Sequence, residues 1–157
     1  MSEASPPAKI TGGCQCGAVR YEWREPLRYA SVCHCRMCQK ASGQPFMALT
    51  GGKIENLRWT RGQLSTFKSS DRGERGFCSA CGTPLTYRME GTSRISVTMT
   101  SLDNPEVMRP TKQYGIEGKL SWTDGIPTLP GQRTEEWMRD AGTAPVVSQQ
   151  HPDHETS

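Results

Sequence analysis

A chain of 157 residues with 19 Lys and Arg against 16 Asp and Glu has a net charge of only +3. Its pI near 8.5 falls short of the values above about 9 that mark dedicated nucleic-acid binders. The length leaves no room for a second large core, no apolar run approaches the roughly 20 residues that span a bilayer, and the opening MSEASPPAKI has no signal-peptide core. A soluble, cytoplasmic, single-domain protein without a nucleic-acid or membrane partner is expected.

In chain order, residues 1–9 contain a Pro-Pro pair and are expected to form a flexible arm. The folded domain is expected over 10–140. Its first motif, GGCQCG, sets Cys14 and Cys16 two apart; on an extended strand both side chains share a face and can approach one ion. A strand follows from Ala18 to Trp23. The stretch VCHCRMCQK then brings Cys33, Cys35 and Cys38, with a turn or two of helix over Cys35 to Ala41 and a small polar turn after it. Further strands are predicted from Phe46 to Thr50, Leu64 to Lys68, Pro84 to Met89 and Arg94 to Met99, where apolar and polar residues alternate and Val, Ile, Thr and Tyr are frequent. Between them, FCSACGTP carries Cys78 and Cys81 around a tight turn, with Gly82 free to take a positive φ. A short helix is predicted from Thr134 to Met138 with Thr134 as its N-cap, and residues 141–157 form a polar tail. With 16 Gly and 11 Pro, the chain suits many short strands joined by turns, which places it in the all-β class.

Seven cysteines need an account in a reducing compartment, where disulfides are rare. Their clustering points to metal. Cys14 and Cys16 form one half-site and Cys78 and Cys81 the other, together a closed four-thiolate zinc site that ties distant segments. Cys33, Cys35 and Cys38 remain as a three-thiolate site. Catalytic zinc keeps three protein ligands and an open position, and redox-inert zinc suits thiolate ligation without a redox partner. His34 lies between two of the ligands in sequence and is expected to point away from them, hydrogen bonding on the opposite face. An open zinc can hold a substrate thiol as thiolate and polarise a neighbouring oxygen, so carbon–sulfur chemistry follows.

The motifs GGCQCGAVRY, VCHCRMCQKASGQPF and FCSACGTPLTYR occur in order from Gly12 to Met89, and weaker echoes follow in SLDNP and WTDGIPTLPG. In these residues the chain resembles the glutathione-dependent formaldehyde-activating enzyme family, to which centromere protein V also belongs. The resemblance implies a zinc-bound β-tent of antiparallel sheets. It implies structural zinc on Cys14, Cys16, Cys78 and Cys81, catalytic zinc on Cys33, Cys35 and Cys38, and hence two zinc ions per chain. It further implies a carbon–sulfur lyase acting on a small-molecule thiol adduct such as S-(hydroxymethyl)glutathione. Where many members carry a His, this chain has Gln113.

The remaining residues have simpler expected roles. Residues 42–46 either wall the open site, with backbone N–H groups facing a bound carboxylate, or turn into a core strand. Lys53, Arg58, Arg61, Lys68, Arg72 and Arg75 give the middle of the chain a basic bias, expected mainly as a solvated face. Trp23, Trp59, Trp122 and Trp137 are expected to pack in the core or at its rim. The alternative to an enzyme is a non-catalytic zinc-stabilised binding module, in which both cysteine clusters are structural.

Overall fold

The computed structural model describes residues 9–157. All but residue 9 of the predicted N-terminal arm lies outside the described residues, and Lys9 itself reaches Glu22 at 3.6 Å. Two sheets make up the domain. The smaller has the order β1 (Ile10–Gly13), β2 (Arg20–Trp23) and β5 (Leu57–Arg61). The larger has seven strands in the order β10 (Lys112–Tyr114), β3 (Tyr29–Cys33), β4 (Met47–Lys53), β9 (Arg94–Thr98), β8 (Pro84–Met89), β7 (Gly73–Phe77) and β6 (Ser65–Lys68). Neighbours are antiparallel except β10, which runs parallel to β3. Two short helices, α1 (Arg36–Ser42) and α2 (Thr134–Asp140), complete the regular structure apart from 3₁₀ turns. Among the described residues no helix is long and apolar enough to cross a membrane.

The all-β expectation holds, and each predicted strand appears with its ends moved by up to three residues. Five further strands appear that the sequence reading did not predict: ITGG, YASVC, LRWTR, GERGF and KQY. They form because paired neighbours satisfy their backbone groups and bury one face, which in GERGF and KQY outweighs an unfavourable composition. At α2 the N-cap is Arg133, not the expected Thr134: the Arg133 N–H donates to the Glu136 carboxylate at 3.2 Å, which shifts the helix start back by one residue.

The main core joins both sheets through Tyr21, Trp23, Leu85, Ile95 and Val97. Directly paired residues share a face of a sheet. Thr50 pairs with Val97, so this pair faces the small sheet, whereas Cys33 pairs with Met47 and faces the opposite way. A second cluster of Cys38, Met47 and Leu49, with Tyr87 against it, occupies that opposite face. The two cysteine clusters contribute to different cores, Cys14 and Cys78 to the first and Cys38 to the second.

A buried ion pair locks the small sheet to the segment after β9. Arg20, 2% exposed, donates from Nη1 to Asp103 Oδ1 at 2.8 Å and from Nη2 to Asp103 Oδ2 at 2.5 Å. The Thr11 hydroxyl donates to the same Oδ2. The segment predicted as a loose polar tail makes contacts here: Glu155 accepts from Arg20 Nη2 at 2.9 Å, Arg61 donates to the Thr156 carbonyl, and the His151 N–H donates to the Gln15 carbonyl.

Candidate metal centres

The first centre is built from two turns. β1 ends at Gly13, and the Gly17 N–H donates to the Cys14 carbonyl at 3.1 Å. Cys14 and Cys16 therefore lie on a turn and not on the extended strand expected from their spacing, because the flanking glycines favour reversal over continued pairing. Their sulfurs still converge, 3.6 Å apart. The chain leaves β7 into the second turn, where the Gly82 N–H donates to the Cys78 carbonyl at 2.8 Å and Gly82 has φ 77° as the sequence predicted. Cys16 and Cys78 sulfurs stand 3.9 Å apart, and all four lie within 4.8 Å of one another. A tetrahedron with ~2.3 Å zinc–sulfur bonds has edges of about 3.8 Å, so the donor set fits a metal ion of that kind.

The electrostatics agree with a cation between these thiols. Burial pushes the Cys81 thiol up, but hydrogen bonding by Thr83 and the Cys16 backbone overrides it and brings the thiol down to about 6. The Ala18 backbone N–H favours the Cys16 thiolate, yet burial and the neighbouring sulfurs drive it up to about 12. One sulfur ionises only at the expense of another when nothing positive sits between them. A divalent cation removes that conflict.

The second centre sits on the other face of the large sheet. Cys33 ends β3, Cys35 caps α1 and Cys38 lies in its first turn. A short strand-to-helix connection thus points three thiols at one spot, within 4.8 Å of one another, with Cys33 and Cys35 sulfurs 3.4 Å apart. Burial raises the Cys33 thiol to about 12. At Cys35 burial is outweighed by the backbone N–H groups of Cys38 and Met37 and by the other two thiols, and its thiol is lowered.

His34 does not join this set among the described residues. It is 3% exposed, with Nε2 3.0 Å from Gln113 Oε1 and its ring 5.5 Å from Phe46. Gln113 therefore supports the centre from behind, through His34. The β10 turn presses close: the His34 N–H donates to the Tyr114 carbonyl, and a Cβ on Gly115 (φ 60°) would lie 2.7 Å from the Cys35 nitrogen. Buried Gln39 clamps the arrangement, donating to the carbonyls of His34 and Gly118. Sequence reasoning missed Gln39 and Gly115, which carry no ligand atom and come from segments far apart in the chain.

Of the six basic residues expected on a solvated face, Lys53, Arg58, Lys68 and Arg72 are exposed, and three of these also make local pairs. Arg58 donates to Glu22 at 2.8 Å, Lys68 to Glu90 at 3.1 Å, and Lys53 lies 3.4 Å from Glu55. Arg75 is the exception to that expectation: it is 4% exposed and donates to Cys38 Sγ at 3.3 Å, Met47 Sδ at 3.2 Å and Ser69 Oγ at 2.9 Å. Trp23 is buried and Trp59 meets Tyr21 edge-on, but Trp122 and Trp137 are exposed and not in the core.

Ser42, Gln44, Pro45 and Phe46 line a cavity of about 530 Å³ together with Met47, Thr98 and Ile126 among others, a lining that includes none of Cys33, Cys35 and Cys38. Its described lining carries no charged side chain. Met47 links it to the second cluster, and the Ser42 hydroxyl closes α1 by donating to the Cys38 carbonyl at 2.8 Å.

Comparison with known proteins agrees with this architecture. Residues 9–117 match the family model described as glutathione-dependent formaldehyde-activating enzyme. A Halomonas elongata protein named "Putative glutathione-dependent formaldehyde-activating enzyme" is 25% identical over 125 residues, 73% of this chain and 80% of that protein. An uncharacterized lyase of Schizosaccharomyces pombe is 30% identical over 76 residues, 48% of this chain and 55% of that protein. In fold, the chain is similar to a Rhodobacter sphaeroides protein of known crystal structure, with TM-score 0.53 and 22% identity over 66% of this chain and 98% of that one.

Proposed function

The chain belongs to the glutathione-dependent formaldehyde-activating enzyme family, and on that footing we propose that it is a zinc-dependent carbon–sulfur lyase acting on a hydroxymethyl thiol adduct. The observation that supports this reading is the count of sulfurs at the second centre: three within 4.8 Å and no fourth ligand atom among the described residues, beside a separate set of four. Cys14, Cys16, Cys78 and Cys81 serve as the structural set, and Cys33, Cys35 and Cys38 as the catalytic one. Cys33, Cys35 and Cys38 would hold the zinc, which would supply there a Lewis acid able to stabilise a thiolate and polarise an adjacent hydroxyl.

The protein's own part is positioning. Backbone N–H groups at the start of α1 favour the ionised form of Cys35, and the Gln39 clamp with the Gly115 turn fixes the spacing of Cys33 and Cys35. In the splitting direction the carbon–sulfur bond breaks as the hydroxyl loses its proton to solvent water, leaving formaldehyde and a thiolate. S-(hydroxymethyl)glutathione is the first substrate to test. The uncharged lining of the nearby cavity makes hydroxymethyl adducts of neutral thiols the second, since glutathione's carboxylates would meet no cationic partner there.

The test measures metal content and turnover together in wild type and Cys35→Ser. We expect two metal ions and turnover in the wild type, and one metal ion, an intact fold and no turnover in the variant. Two firmly held ions with no turnover of any adduct would overturn the proposal in favour of a binding module, as would collapse of the Cys35→Ser fold.

A further inference from the structure

Arg75 is a buried cation whose partners are unusual. Each of its three nitrogens donates one hydrogen bond, to a serine hydroxyl, a thioether and the Cys38 sulfur. Its guanidinium carbon lies 4.8 Å from the centre of the Tyr87 ring. Among the described residues none of these partners is a carboxylate. A guanidinium cannot shed its proton in a protein, and an unpaired buried charge is costly. Of the groups it touches, only Cys38 belongs to the three-thiol centre, and a thiol that ligates a metal does so as the thiolate. The sheet register makes this contact inherent to the fold: Arg75 pairs with Tyr87, Tyr87 with Ser96 and Ser96 with Gly51, all on the face that carries Met47 and Cys33.

We propose that Arg75 is the counter-ion and positioning residue of the three-thiol centre, donating through Nη2 to Cys38 Sγ and compensating the charge of three thiolates around one divalent cation. The inference rests on the metal reading of that centre. Three thiolates and a divalent cation sum to −1, a poor charge to bury alone, and one guanidinium brings the sum to zero. The hydrogen bond also draws electron density from Cys38, so that the sulfur donates less to the ion and leaves it more acidic towards a ligand in the open position. The second N–H, held by Met47, fixes the fork without competing for charge. Charge-assisted hydrogen bonds of this kind are about twice as strong as neutral ones.

The test uses the full chain loaded with cobalt(II), whose sulfur-to-metal absorption reports how strongly each thiolate donates. In Arg75→Met we expect the second ion to bind on the order of tenfold more weakly, while the ion at the four-thiol centre is held as in wild type. The charge-transfer band of the second site should move to lower energy, because the sulfur lone pair loses its hydrogen bond. Arg75→Lys should restore most of the affinity, since it restores the charge. A purely structural role for Arg75 would lower the melting temperature without moving the band. If Arg75→Met does not fold, Arg75→Gln keeps a donor without the charge and is expected to show a similar loss of affinity. An unchanged band and affinity in Arg75→Met, or unchanged affinity in Arg75→Gln, overturns the inference alone. A wild type that takes up only one cobalt ion overturns the metal reading of the three-thiol centre, and the inference with it.

Discussion

Replacing Asp103 by Ala removes the one partner among the described residues that holds both Nη atoms of Arg20. Arg20 is 2% exposed and Asp103 12%, so truncation leaves a guanidinium in the core without its principal counter-charge. Breaking a buried pair from one side costs about 3–5 kcal/mol. Glu155 remains 2.9 Å from Arg20 Nη2, but its side chain is 42% exposed, and screening limits what it can replace; the low end, about 3 kcal/mol, is the better figure. For a chain of this size that corresponds to a fall in melting temperature of about 6–12 °C. The loss of the acceptor for the Thr11 hydroxyl acts in the same direction. Circular dichroism of metal-loaded protein measures the fall, and metal content should stay at the wild-type level, since neither residue is a ligand. The double variant Arg20→Met with Asp103→Leu should recover much of the loss, because replacing both partners by apolar groups leaves no charge buried. An Asp103→Ala protein that melts within about 2 °C of wild type would refute the reasoning.

Gly115→Ala forces a Cβ to 2.7 Å from the Cys35 nitrogen at φ 60°; it should weaken metal retention at the three-thiol centre and spare the four-thiol one, as metal analysis after partial chelation would reveal. Removing residues 148–157 deletes the partners of Arg20, Arg61 and Gln15 described above and should lower the melting temperature by a few degrees, about 1–2 kcal/mol, where the sequence alone predicts no effect; equal melting would mean that these contacts contribute nothing. Burial opposes ionisation of Asp103, but Arg20 and Thr11 override it and hold its carboxyl below the usual range; hydrogen bonding and charge from Arg58 do the same for Glu22. Both carboxylates therefore contribute fully above their unfolded values of about 4 and lose that contribution as pH falls through the lower folded values. The stability gap between wild type and Asp103→Asn should narrow on acidification below about pH 4, and a gap that widens there would contradict the assignment.

The cysteine clusters were legible because metal ligation imposes short, fixed spacings on residues that seldom cluster otherwise. The strands that carry Tyr21, Leu85 and Val97 were legible for a similar reason, since alternation with β-branched and aromatic residues marks a half-buried strand. GERGF and KQY offered neither sign. Their strands exist because β8 and β3 present open edges that they complete, and β10 reaches β3 from about 80 residues away, a pairing that no local pattern encodes. Misplacing Cys14 and Cys16 on a strand had a narrower cause: period-two geometry and a tight turn both bring residues two apart to one ion, and the glycines on either side favour the turn.

Arg75 shows where local reasoning stops. In sequence it is one of six basic residues in a polar stretch, and an isolated arginine is most often solvated. Its role depends on register: one residue's slip in β7 would turn it to the other face of the sheet, away from Cys38 and Tyr87. The preceding residue illustrates the alternative. Glu74 points the other way and lines a polar surface hollow with Lys68, Arg88 and Glu90, where its charge is balanced and wet. A register in which Glu74 faced the three thiols would set a carboxylate beside sulfurs that must ionise to bind metal, and like charges there would oppose both ionisations. On the proposed reading, the register of β7 that sets Arg75 beside Cys38 also keeps the Glu74 carboxylate away from the three thiols.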